Sequence, residues 1–297
     1  MDVCVIGGSR YFGRRLVEEL RDAGGTVTVV NRGSSPAPHG VTHLRADRDD
    51  EAALRTVLAD RRFDAVIDQV CYTPVQAAIA ARVFADRTPR YVLTSTVEVY
   101  AHLGRPGGPP LTEAALDLSA EPVDLRLPWS DQQFVADHYA EGKRQAEALL
   151  TRQASFDVAT VRTAHVLGGA DFTGRLAHYV ERIGRGLPVA VHAAPQRASF
   201  VHEAEIAHFL SWAATADFTG PINAASQGTL DAKELCAAVG RVTGTSPRLV
   251  VGDDGQQPSP FSFDRCYAMD TGRSGRLGFR FSAVTDWLPQ AIKEAHA

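Results

Sequence analysis

Apolar residues in the first hundred positions fall into two alternating patterns. Short runs apolar on both sides (DVCVIG, TVTVVN, FDAVIDQV and RYVLTST) read as buried strands, and between them apolar positions recur at helical spacing. Phe12, Leu16, Val17 and Leu20 share one face of a first helix that stops at Gly24-Gly25. VTHLRAD reads as a further short strand, and DEAALRTVLADR and PVQAAIAARVFA as the next two helices. Strands apolar on both sides need cover on both sides. The repeat therefore predicts an α/β fold, a Rossmann-type doubly wound parallel sheet.

After Tyr100 the rhythm breaks. Residues 101–130 are rich in proline and glycine and long for a connection, which predicts either a functional lid insert or a disordered one. One long helix is expected from about Asp131 to Arg152, followed by the strand FDVATVRTAHVLG. The last third carries weaker strands at FVHEAEIA, PINAAS and PRLVVG and a helix at DAKELCAAVGRVTG. The expected division is a dinucleotide-binding domain over 1–165, with 195–228 returning to it, and a smaller C-terminal substrate lobe over 166–194 and 229–297.

GGSRYFG, residues 7–13, lies between the first strand and the first helix, where backbone N–H groups and a positive helix end meet a dinucleotide pyrophosphate. Gly7 permits the tight turn and Gly13 the close approach of the helix; Ser9, Arg10, Tyr11 and Phe12 fill the turn between them. Arg10 stands where a middle glycine is common, facing the adenosine ribose. The second strand ends in Asn31 and Arg32, not in the carboxylate that accepts a ribose 2′-hydroxyl. With no acid to repel a 2′-phosphate and a guanidinium to grip one, the expected cofactor is NADPH (NADP+).

Charge and cysteine content narrow the partners. A net charge of −4 over 297 residues gives no general attraction to nucleic acid or anionic membrane. No apolar run approaches the ~20 residues of a membrane span, and the chain enters VCVIGG with no signal-peptide pattern before it. Cys4, Cys71, Cys236 and Cys266 form no C-x-x-C pair and read as reduced thiols, so a cytoplasmic protein is expected, without a metal and without a nucleic-acid or membrane partner.

YAEGK places Tyr139 and Lys143 four residues apart, on one helix face, and VLTSTVEVY ends a strand with Thr94, Ser95 and Thr96. On these residues, and on RADRDD, TVRTAHVLGGAD, RASFVHEAEIA and PINAAS, the chain resembles the extended short-chain dehydrogenase/reductases, which include nucleotide-sugar epimerases and dehydratases. GGSRYFG and VVNRG resemble an atypical subgroup with arginine in the glycine turn. The resemblance implies that Tyr139 is the general acid and that Lys143 supplies positive charge and holds the nicotinamide ribose. It further implies that Thr96 polarises the carbonyl and that Asp47 contacts adenine. His165 stands where sugar-nucleotide enzymes often have asparagine, and Arg197 matches one of the two arginines that clamp a substrate pyrophosphate.

At the second clamp position this chain reads QPSPFSF, with Pro260 and Phe261. One charge lost and Phe261 and Phe263 gained suggest an apolar, aromatic or polyketide-type ketone, with His165, Arg197, Phe261 and Trp129 of the insert as substrate contacts. The expected activity is that of an NADPH-dependent ketoreductase of secondary (antibiotic-type) metabolism, a monomer or homodimer acting on a small-molecule ketone. A nucleotide-sugar epimerase or reductase is the alternative. A third reading, a cofactor-sensing or RNA-associated protein, lacks the clustered basic and aromatic residues that RNA binding needs.

Overall fold

The computed structural model describes residues 1–252 and 258–296. In chain order the strands are β1 (Asp2–Ile6), β2 (Thr26–Asn31), β3 (Thr42–Arg45), β4 (Ala65–Asp68), β5 (Arg90–Thr96), β6 (Asp157–Thr163), β7 (His165–Leu167), β8 (Pro188–Val191), β9 (Phe200–His202), β10 (Gly220–Ala224) and β11 (Arg248–Val251). The helices are α1 (Tyr11–Asp22), α2 (Glu51–Leu58), α3 (Pro74–Phe84), α4 (Gln132–Asp137), α5 (Tyr139–Arg152), α6 (Arg175–Gly184), α7 (Glu203–Ala213), α8 (Ala232–Thr243), α9 (Gly272–Arg276) and α10 (Val284–His296).

Seven strands form one sheet in the order β10-β6-β5-β4-β1-β2-β3. The pairs from β6 through β3 are all parallel. The order reverses next to β1, which is where an open parallel sheet leaves a crevice at the carboxyl ends of its strands. Local chemistry fixes the helix starts: Asp50 caps α2 through the Ala53 N–H (2.9 Å), and Thr73 caps α3, which opens on Pro74. Cys4, Ile6, Leu54, Val66, Phe84, Tyr91 and Leu150 belong to the core that these elements bury.

The chain divides into two compact units, one of Met1–Val99, Leu116–Thr163 and Ala207–Ile222, the other of Tyr100–Ala115, Ala164–Ile206 and Asn223–Ala297. The segment returning to the first unit is thus 207–222, shorter than the expected 195–228. The predicted lid is split as well. Leu111 bridges Met269, and Glu113 accepts from the Asn223 N–H (2.9 Å), both in the second unit. Leu116, Leu118 and Trp129 are buried in the first, where Arg152 donates to the Leu118 carbonyl (2.7 Å).

Two elements differ from the sequence reading. The single helix over 131–152 is broken at His138 (φ −109°, ψ 25°), whose ring stacks on Phe134 at 3.9 Å, so Tyr139 opens a new helix. FVHEAEIA is a strand only at Phe200–His202. From Glu203 acidic residues open α7, and Ile206, Phe209, Leu210 and Ala213 bury one helical face. Among the described residues no helix is long and apolar enough to cross a membrane, and the four cysteines are buried free thiols.

Candidate active site

The glycine turn is built by close approach. Gly7 (φ +100°) and Gly8 (φ +72°) take backbone conformations that disfavour side chains. A Cβ on Gly8 would lie 2.8 Å from Val17 and 2.9 Å from Val5, and one on Gly13 would lie 2.0 Å from Gln69 Oε1. α1 therefore presses directly onto the turn. Its N-cap, Arg10, is extended and makes no side-chain cap, and no acid occupies the first helical turn. A helix start without a side-chain cap or an acid is one that can receive an anion such as a dinucleotide pyrophosphate. Gln69, which the sequence reading passed over, lies against Gly13 with its buried Nε2 lacking a hydrogen-bond partner.

Asn31, expected to touch the cofactor, is occupied within the protein. Its Nδ2 donates to Ser9 Oγ (2.8 Å), and its Oδ1 accepts from the Gly33 N–H (2.7 Å) and meets His43 Nε2 at 3.0 Å. It clips the glycine turn to the loop after β2. Arg32 is exposed on that loop and, among the described residues, forms no ion pair. Arg10 donates to Ser35 Oγ (2.8 Å), and the Arg45 side chain lies over Gly33, its Nε 3.0 Å from where a Cβ would sit. Three guanidinium groups thus attend one loop, and Arg45 was missed because it belongs to the next strand. Asp47 is exposed and accepts from the Asp49 N–H (3.0 Å). Its neighbour Arg48 turns inward to Asp68 (2.7 Å), which also accepts from the Tyr91 hydroxyl (2.5 Å).

Tyr139 is the first residue of α5 and half-buried. Lys143, one turn on and 2% exposed, donates to the carbonyls of Cys71 (2.8 Å) and Thr94 (2.7 Å). The second bond fixes α5 to the end of β5, two residues before Thr96, whose Oγ1 accepts from the Glu98 N–H (3.2 Å). Gly142 allows the contact: a Cβ there would lie 2.5 Å from the Tyr72 carbonyl and 3.1 Å from the Trp129 ring. Trp129 is 6% exposed, with its indole N–H on the Asp124 carbonyl (2.8 Å), so it packs beneath the helix. Burial pulls the Lys143 ammonium below the ordinary lysine range, opposed by Cys71, Asp68 and Glu147. A phenol one helical turn from a buried cation can release a proton and recover it.

A buried network lies one turn further along α5. Arg162 meets Glu147 at 2.7 and 3.0 Å, both side chains wholly buried, and Glu147 also accepts from the Ser95 hydroxyl. Ser95 adjoins Thr96, so this network sets the strand end against the helix.

In the second unit His165 is 5% exposed and stacks on Phe263 (5.0 Å, 17°), with Phe200, Phe261 and Tyr267 around it. Its Nε2 is buried without a hydrogen-bond partner. Phe261 is 3% exposed, a core ring under the Arg175 guanidinium (4.9 Å), whereas Phe263 keeps some accessible surface. The Arg197 guanidinium is engaged by Glu234 (2.9 Å) and Thr229 (2.9 Å) and would have to leave that carboxylate to hold a phosphate.

Burial and the Arg175 charge bring the His165 pKa from 6.5 down to about 3, so the folded ring stays neutral. The unfolded ring takes its proton near pH 6.5. The contribution to stability is therefore complete above that pH and is lost progressively as the pH falls toward about 3. Denaturant unfolding between pH 7.5 and 5 should show a loss of about 2 kcal/mol through this residue, absent in His165→Phe. Equal losses in both proteins would assign the slope elsewhere.

The sequence model of the NAD dependent epimerase/dehydratase family matches residues 3–225. A curated relative, 2′-dehydrokanamycin reductase of Streptomyces kanamyceticus, is 33% identical over 136 residues, which span 43% of this chain and 39% of that protein. Among solved structures, the Thermus thermophilus UDP-glucose 4-epimerase in complex with NAD superposes with a TM-score of 0.78 at 19% identity, over 100% of this chain and 99% of that one. The Thermotoga maritima UDP-glucose 4-epimerase with UDP-glucose superposes with a TM-score of 0.76 at 16% identity, over 100% and 97%.

Proposed function

The chain belongs to the NAD dependent epimerase/dehydratase family, and from that premise we propose that it is an NADPH-dependent ketoreductase of a bulky secondary metabolite. The observation that carries this reading is the attachment of α5, with Tyr139 and Lys143, to the strand end before Thr96. When bound, the dinucleotide supplies a hydride to the carbonyl carbon. Tyr139 gives its phenolic proton to the carbonyl oxygen, and Thr96 hydrogen-bonds the same oxygen. Lys143 keeps positive charge beside the phenol, which lowers the cost of the phenolate left behind. Gly7, Gly8, Gly13 and the open start of α1 receive the pyrophosphate, Ser9, Tyr11 and Phe12 line the turn, and Asp47 meets the adenine end.

Arg32, with Arg10 and Arg45 beside it, supports the 2′-phosphate assignment. Arg32→Ala should weaken NADPH binding by about tenfold or more and leave NADH binding nearly unchanged, read by fluorescence titration. Equal losses for both would remove the phosphate role.

For the substrate, Phe263 and the ring cluster around His165 support an aromatic or polyketide-type ketone. The alternative, a nucleotide-sugar epimerase or reductase, is supported by the fold shared with UDP-glucose 4-epimerases. The test follows NADPH and NADH oxidation with polycyclic aromatic ketones, 2′-dehydrokanamycin and nucleotide-4-ketosugars. Turnover of either of the first two classes with NADPH sustains the ketoreductase reading, and the first class alone sustains the aromatic substrate. Turnover of ketosugars alone moves the assignment to the alternative.

A further inference from the structure

One aromatic ring beside the proton donor has no part in the reaction above. Tyr72 keeps 36% of its surface exposed, yet its backbone is held firmly. Its N–H donates to Gln76 Oε1 (2.7 Å), Gln76 is itself tied to Asp49 (2.8 Å), and its carbonyl lies against Gly142. The ring so placed carries the Lys143 ammonium over its face, 5.3 Å from the centroid, and stands 6.2 Å from the Tyr139 ring.

Two of the three ammonium protons are committed to the Cys71 and Thr94 carbonyls. The ionisable groups around Lys143 are Asp68, Cys71 and Arg48 on the sheet side, Glu147 and Tyr139 on its own helix, and Tyr72. Of 31 basic residues only Lys143, Lys233 and Lys293 are lysines. Among the lysine and arginine side chains, a cation able to lose its proton is therefore rare, and one of the three is buried here, under an aromatic face that attracts the charged form and not the neutral amine.

We propose that Tyr72 is a positioning residue for Lys143, its ring face holding the ammonium charged beside Tyr139. The effect on turnover rests on the ketoreductase reading; the effect on Lys143 does not. Protein labelled with ε-13C-lysine gives three lysine signals, and Lys143→Arg identifies the relevant one. In Tyr72→Leu the Lys143 titration midpoint should fall by about half a pH unit or more, whereas Tyr72→Phe, which keeps the ring, should stay within about 0.2 of the parent. Should the leucine variant fail to fold, Tyr72→Met removes the π face at similar reach.

With a substrate in hand, the alkaline limb of kcat/KM should move to lower pH in the leucine variant and stay in place in the phenylalanine variant. An unmoved midpoint in Tyr72→Leu overturns the proposal, as does an equal shift in Tyr72→Phe. A raised KM with an unmoved midpoint overturns it too, because Tyr72 would then be a wall of the substrate site alone. Failure of every ketone to turn over would count against the reductase reading and leave the lysine titration to decide this one.

Discussion

On the proposed function, Tyr139→Phe is expected to lower ketone turnover with NADPH by a factor of about 10² or more while NADPH binding changes little. The substitution removes one oxygen and keeps the ring, so the Tyr72 contact at 6.2 Å survives and Lys143 keeps its two carbonyls. What disappears is the proposed acid. A free phenol, with a pKa of about 10, is a poor acid near neutrality, and its use depends on the charge that Lys143 brings one turn away. Steady-state rates and a separate binding titration distinguish a lost chemical step from a lost cofactor site. Near-parental turnover would mean that solvent or the substrate itself supplies the proton, and the assignment of Tyr139 would fall.

Glu147→Ala should cost about 3–5 kcal/mol of folding stability, as urea unfolding would read it. Removing the carboxylate strands the Arg162 guanidinium, wholly buried, without its 2.7 Å partner, and leaves the Ser95 hydroxyl without its acceptor. The double variant Glu147→Leu/Arg162→Met removes both charges and should recover most of the loss, because a well-packed apolar pair of similar volume has no desolvation to offset. A loss below about 1 kcal/mol in the single variant would mean that other partners of Arg162, or water, take over its charge. Residual activity should fall with stability, since the network joins the strand end next to Thr96 to the helix that carries Lys143.

The parallel sheet was legible because each of its central strands is apolar on both faces, and the placing of Tyr139 and Lys143 on one helix because four residues is one helical turn. The break at His138 was not legible: it turns on a ring stacked on Phe134, within a segment otherwise at helical spacing. Nor were the partners of the buried charges. Glu147 and Arg162 lie 15 positions apart, and Arg48 and Asp68 lie 20 apart, on different elements in both cases. No local pattern joins such pairs, and only the fold does. Arg197 shows the same limit, since its carboxylate, Glu234, is 37 positions away. Gln69 and Tyr72 were not legible for a simpler reason: they lie in the short connection between β4 and α3, which carries no periodic pattern or motif of its own.

The Asn31 clip constrains how this chain could change its cofactor. Related folds favour NAD by placing a carboxylate at the end of the second strand, and here that position is Asn31. An aspartate there would lose the amide donor to Ser9 and bring a negative oxygen toward the Gly7 carbonyl, now 3.4 Å from Nδ2. On the proposed NADPH preference, the first mutational step toward NAD thus loosens the turn proposed to hold either dinucleotide. A lineage making that exchange has to alter the glycine turn and the strand end together, so a drift in coenzyme preference by single substitutions meets a barrier at its first move.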